Sequence, residues 1–198
     1  HLLPQDIAVD VMRMTQSYEN FAVQVFIKNG KIYTGHSYRG DFIKKFLRAP
    51  VKRSLKGYVN LLRDFVLIPV QNTGNTKGAI AALSESPAKL VVYGNERLED
   101  LEEFKEKILA RYGDKISITS SIKNTIDILK GGISKAAGLN ILAEKLGIKR
   151  DEIITVGDNY NDLEMIKYAG LGVAMGNAPE QVKNKADYVT DTNNQEGL

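Results

Sequence analysis

The stretch Ile153-Ile154-Thr155-Val156-Gly157-Asp158-Asn159-Tyr160-Asn161-Asp162 decides how this 198-residue chain is read. An apolar run stops at a glycine. An acidic, amide-rich turn then leads into Leu163, Ile166 and Ala169 at helical spacing. A short uninterrupted apolar run fits a strand buried on both faces, as in parallel sheets. Leu171 to Met175 is a second such run, ending at Gly176-Asn177, and Tyr188-Val189 is a last strand. Upstream, Thr125 to Leu129 reads as a strand of the same part. Ser134 can N-cap a helix to Leu146, with Leu139, Leu142, Ala143 and Leu146 inward and Gly147 just past its end. Pro179 suits the first turn of a short helix. Strands and helices alternating at this spacing predict right-handed parallel crossovers. Functional loops of such sheets lie beyond the carboxyl ends of the strands. The segments Gly157–Asp162 and Gly176-Asn177-Ala178 both fall there.

Asp158 at a strand tip and Asp162 in the first helical turn can face one pocket. Two close carboxylates repel unless a cation intervenes. Oxygen-only ligands favour Mg²⁺, which takes one or two protein carboxylates and otherwise water and phosphate. The competing reading is that Asp158 or Asn159 caps the helix and Asp162 complements its dipole. Lys135 falls at the first position of its helix, where the macrodipole disfavours a cation by about 0.3–1 kcal/mol. An anion held there would reverse that sign, and phosphate is the natural candidate at a helix N-terminus. The alternative is an exposed lysine whose stem reaches away.

Composition narrows the chemistry. The chain has no Cys and two His, which removes disulfides, thiolate zinc sites and cysteine nucleophiles and nearly removes Ser-His-Asp catalysis. Carboxylates, Lys, Ser/Thr and backbone remain. No apolar run approaches the ~20 residues that span a bilayer. Lys and Arg number 27 against 24 Asp and Glu, a net charge of +3. The positive excess concentrates in Arg39, Lys44, Lys45, Arg48, Lys52, Arg53 and Lys56, opposed only by Asp41. Such a patch could draw a phosphate-bearing substrate or nucleic acid, but the pI of about 8.9 comes with no nucleic-acid motif, and a solvated helix face is the plainer reading.

The first part has a different style. Pro4 to Ser17 reads as a helix with Ile7, Val11 and Met14 on one face. Phe21, Val23, Val25 and Ile27 alternate as a strand, and Asn29-Gly30 before Lys31 to Thr34 signals a hairpin. Asp41 to Leu47 looks helical. Lys89 to Tyr93 is a short strand. Glu96 to Tyr112 is an amphipathic helix with Leu98, Leu101, Phe104, Ile108 and Leu109 inward, ended by Gly113. Ile116 to Thr119 alternates again. These elements make an α+β unit, an antiparallel sheet with helices on one face.

From Ile126 to Gly197 the chain closely resembles the C-terminal part of haloacid-dehalogenase-like (HAD) phosphatases, subfamily IIB, the Cof-type group. The matching words are Gly132-Ile133-Ser134-Lys135, Gly157 through Met165, Gly170 through Ala178 and Ala186-Asp187-Tyr188-Val189-Thr190. The resemblance implies an α/β fold class. It implies a Rossmann-like HAD core, present in its C-terminal part over residues 123–198, with an inserted α+β C2-type cap over residues 1–122. It implies that Lys135 binds the transferring phosphoryl group and that Asp158 ligates Mg²⁺. Asp162 joins the metal site, positioning Lys135 or a metal-bound water. Asn161 and Asn177 lie near phosphate or hold the loops. Ala136-Ala137 departs from the family's commoner Gly-Thr.

The family's chemistry starts at an Asp-x-Asp-Gly-Thr strand end, and this sequence contains no Asp-x-Asp. In the family that strand lies beside the equivalent of Ile153–Val156, so this chain is expected to leave an unpaired apolar edge. The expectation is a fragment of a longer cytoplasmic, Mg²⁺-dependent phosphomonoesterase. The parent would act on small phosphorylated metabolites such as sugar phosphates through an aspartyl-phosphate, with neither nucleic acid nor membrane as partner. The chain alone is expected to be inactive. The rival reading is a non-catalytic module that binds a phosphorylated ligand on the same fold.

Overall fold

Alternation of apolar and polar residues builds the first sheet. The structure is a computed structural model and describes residues 1–28, 32–34, 70–95, 97–120 and 124–198. The basic segment Arg39–Lys56, the expected helix from Asp41 and the Asn29-Gly30 turn lie outside the described residues. The elements of the first part are α1 (Gln5–Met14), β1 (Ala22–Phe26), β2 (Ile32–Thr34), β3 (Val70–Asn72), α2 (Thr76–Ala82), β4 (Lys89–Tyr93), α3 (Leu98–Tyr112), β5 (Ile116–Thr119) and β6 (Thr125–Lys130). The sheet runs in the order β3-β2-β1-β4-β6-β5. β1 pairs antiparallel with β2 and β4, as the alternation predicts, and β2 pairs parallel with β3.

Register places the apolar residues on one face. Val23 lies opposite Val92 and Val25 opposite Leu90, and all four are buried. Ile7, Ala8, Val11 and Met12 of α1 and Leu101, Phe104 and Ile108 of α3 are buried with them. Phe104 meets Phe21 and Tyr18 edge to face. Leu98 and Leu109, expected inward, are exposed, because the buried stripe of α3 is narrower than its apolar pattern. The opposite face of the sheet carries polar pairs. Lys89 Nζ donates to Asp127 Oδ1 at 3.0 Å, and Tyr93 Oη donates to Gln24 Oε1 at 2.9 Å.

One strand departs from the sequence reading, which assigns Thr125 to Leu129 to the second part and puts the boundary between residues 122 and 123. β6 instead pairs antiparallel with β4, setting Ile126 opposite Val92 and Ile128 opposite Leu90. Matched apolar residues across this ladder hold it in the first sheet. Asn124–Lys130 accordingly belongs to the compact unit formed by His1–Ile116, and Ser117–Lys123 with Gly131–Leu198 forms the other.

The second unit contains α4 (Lys135–Leu146), β7 (Ile154–Gly157), α5 (Leu163–Tyr168), β8 (Leu171–Ala174), α6 (Glu180–Lys183) and β9 (Tyr188–Val189). Its three strands lie in the order β7-β8-β9 and are all parallel, as the alternation of strands and helices predicts. One sheet face is covered: Ile166 of α5 clusters with Ala174, Ala178 and Val182. On the other face Val173 is buried and Val156 half-buried, while Ile154 and Leu171 are 66% and 40% exposed and Tyr188, opposite Val173, is exposed. β7 is therefore fully covered on one face and partly on the other, where the sequence reading expects both to be buried. α4 likewise buries only Ala143, against Ile153 and Ala169. Leu142 and Leu146, expected inward, are exposed, since α4 meets its neighbours along Leu139 and Ala143. Among the described residues no helix is long and apolar enough to cross a membrane.

Candidate active site

Two helix starts and one strand end converge in the second unit. Ser134 has extended backbone, and its hydroxyl oxygen accepts the Ala137 N–H at 3.2 Å, so α4 opens with Lys135 in its first turn. Gly147, at φ 68°, closes the same helix in the left-handed conformation that glycine tolerates. β7 ends at Gly157, and a 3-10 turn, Tyr160–Asp162, follows before α5. Asn159 caps that turn: its Oδ1 accepts the Tyr160 N–H at 2.8 Å, and its carbonyl accepts the Asp162 N–H at 3.0 Å.

Asp162 joins these pieces. Its side chain is 3% exposed. Oδ2 accepts the backbone N–H groups of Asp158 and Asn159, each at 3.0 Å. Oδ1 forms an ion pair with Lys135 Nζ, whose side chain remains 49% exposed. The carboxylate packs directly over Gly157. A Cβ on that glycine would lie 2.4 Å from Asp162 Cβ, so only glycine leaves room for it. The sequence reading gives Gly157 no role of its own. Its position just before the acidic turn was the available signal.

The cation at the start of α4 thus has its anion inside the protein. A buried carboxylate offsets both the lysine charge and the helix dipole. Capping by Asn159 and charge pairing by Asp162 operate together in this turn, as the structural one of the two competing readings expects. The outer half of Lys135 stays open to a second anion.

The next strand end lies alongside. Gly157 sits opposite Ala174 in the ladder, and Met175 N–H donates to the Gly157 carbonyl at 2.9 Å. Asn177 is exposed, and its Oδ1 accepts the Asn193 N–H at 3.0 Å. That contact ties the Gly176-Asn177 loop to the segment after β9. Gly176 N–H donates to the Asp191 carbonyl at 3.1 Å for the same effect. Asn161 is half-buried within the 3-10 turn. The structure therefore brings Lys135, Asp158, Asn161 and Asp162 to one turn, while Asn177 holds the neighbouring loop.

The two aspartates named for a metal have different surroundings. Asp162 spends one oxygen on Lys135 and the other on two N–H donors. Asp158 is exposed, and its carboxylate makes no hydrogen bond among the described residues. No three His, Cys, Asp or Glu side chains converge among the described residues. An oxygen donor set of one open carboxylate fits Mg²⁺, which usually keeps several waters, and does not fit an all-protein cage.

Comparison with known proteins turns this geometry into a family assignment. Residues 69–198 match the haloacid dehalogenase-like hydrolase family. The chain belongs to that family. Membership of the HAD family agrees with the motifs around Lys135, Gly157 and Gly176 and with the α/β fold class they imply. The 5-amino-6-(5-phospho-D-ribitylamino)uracil phosphatase YcsE of Bacillus subtilis is 46% identical over 104 residues, which are 52% of this chain and 38% of that protein. A putative phosphatase of Haemophilus influenzae is 37% identical over 115 residues, 58% of this chain and 43% of that protein. The chain spans about two fifths of the length of these curated relatives. Among solved structures, a HAD-like hydrolase from B. subtilis superposes with a TM-score of 0.79 at 26% identity, covering 100% of this chain and 69% of that one.

Proposed function

We propose that this chain supplies the phosphate-binding and metal-binding part of a Mg²⁺-dependent phosphomonoesterase of small phosphorylated metabolites. The observation that carries the reading is the Lys135–Asp162 pair, buried at its acidic end and open at its basic end. In this reading Lys135 Nζ binds the phosphoryl group and offsets its charge. Asp162 keeps the ammonium aimed and holds the backbone beneath Asp158. Asp158 holds the metal, and Asn161 and Asn177 keep their loops in register. Bound Mg²⁺ supplies neutralisation of phosphoryl oxygen charge. The first unit acts as the cap that selects the substrate and excludes water. The substrate named for YcsE, a phosphorylated ribitylamino-uracil, supports phosphorylated sugar-like and polyol compounds as the substrate class.

The chain contains no Asp-x-Asp, so the 21.9 kDa polypeptide by itself is expected to bind phosphate without hydrolysing it. The test is phosphate release by the full-length protein that carries this chain, on a panel of sugar and polyol phosphates. Turnover is expected to require Mg²⁺ and to fall by about 10²–10³-fold in Lys135→Ala, the loss typical of removing one preorganised charge-stabilising group. Phosphate binding without turnover by the full-length protein would favour the non-catalytic module instead. Metal-independent turnover, or turnover by the isolated chain, would overturn the proposal.

A further inference from the structure

Tyr160 stands apart from the rest of its turn. Between Gly157 and Asp162 every other side chain is a carboxylate or an amide, and Tyr160 is the one apolar ring. It is 44% exposed. The other large apolar residues exposed in this unit lie on α4 and just beyond it, on the open sheet face and strand ends, or at the C-terminal residue. Among the exposed large apolar residues described in this unit, Tyr160 is the one that sits in the turn beyond β7, two residues from Asp158 and two from Asp162. At 3.8 Å between consecutive Cα atoms, its backbone is within about 8 Å of both. Asp162 is the ion-pair partner of Lys135, so the ring's backbone starts close to the group proposed to hold the phosphate.

The backbone behind the ring is held. Asn159 Oδ1 accepts the Tyr160 N–H, and Asp162 fixes the two residues before it through their own N–H groups. The phenol oxygen has no hydrogen bond among the described residues. A half-exposed ring with no hydrogen bond or ring contact among the described residues can meet a flat apolar surface, since rings prefer offset-stacked or edge-to-face partners. The charged and amide groups around it already serve the phosphate end of a ligand.

Resting on the phosphatase reading above, we propose that Tyr160 is a specificity-determining residue, selecting phosphate esters whose leaving group carries a planar ring. Its ring stacks on that planar group while Lys135 holds the phosphate.

Riboflavin 5′-phosphate and ribitol 5-phosphate test this directly, because they share a ribityl phosphate and only the first carries a fused planar ring. In the full-length protein, the ratio of kcat/KM for the ringed over the ringless ester is expected to fall by about 2- to 10-fold in Tyr160→Leu, through KM rather than kcat. Tyr160→Phe keeps the stacking surface and is expected to retain the ratio. A purely structural role would lower both substrates together and leave the ratio unchanged, which would overturn the proposal. Equal losses in the Phe and Leu variants would overturn it too, by assigning the effect to the hydroxyl. If ribitol 5-phosphate is cleaved with Mg²⁺ but the ratio does not move, the phosphatase reading stands and the ring contact falls. If neither ester is cleaved, flavin fluorescence quenching decides the ring contact separately. A 2- to 10-fold loss of riboflavin 5′-phosphate affinity in Tyr160→Leu upholds it, and equal affinity overturns it.

Discussion

Phe104 in the first unit is fully buried, whereas Ile154 in the second is 66% exposed. The contrast extends beyond these two. The first unit sets matched valines, leucines and isoleucines across three paired strands, and its helices cover them. The second unit has apolar strands of similar composition, yet part of one sheet face, at Ile154, Leu171 and Tyr188, and one side of α4 are exposed. What holds the second unit's turn is polar and steric: a carboxylate under two N–H groups, a lysine on that carboxylate, and a glycine with no room for a methyl group. Polar and steric contacts can therefore fix a turn while part of the same unit's apolar surface stays in water. Stability and site geometry are carried here by different residues.

That comparison can be broken at several points. Phe104→Ala should cost the first unit about 3–5 kcal/mol, since it empties the centre of an aromatic cluster. Urea melts followed by circular dichroism would read it, and a loss below about 1 kcal/mol would mean the first core is no better closed than the second. Gly157→Ala should cost about 1–3 kcal/mol by overpacking against Asp162. Faster amide exchange at Asp158 and Asn159 should accompany it, and unchanged protection there would show that Asp162 does not depend on the glycine. Ile154→Lys should change stability by no more than about 0.5 kcal/mol, because the side chain is already in water. It should also reduce self-association of the 198-residue chain in sedimentation experiments. A large destabilisation would mean that this face is covered after all.

Much of this was legible in the sequence, for physical reasons that can be named. Ser134, Gly147 and Gly113 mark helix ends because caps and left-handed positions demand particular residues, and these act locally. The motif around Asp158 was legible because it concentrates carboxylates and amides where an apolar strand stops. β6 was misplaced because an apolar strand carries no label for its partner, and only the register against β4 reveals the sheet it joins. Leu142 and Leu146 were misjudged because helical periodicity reports that a face is apolar, not that anything covers it. The division of labour between Asp158 and Asp162 was also hidden. Their spacing suggests a shared site, while the hydrogen bonds of Asp162 depend on where α4 arrives in space.

Lys135 and Asp162 are 27 residues apart in the chain. In an unfolded polypeptide that separation makes their meeting an entropic loss that no local turn can relieve. A lysine is cationic in any chain at neutral pH, so what the fold adds to Lys135 is its placement. That placement exists only when a helix, a strand and a turn have already agreed on their places, which makes the pairing a signature of the finished fold.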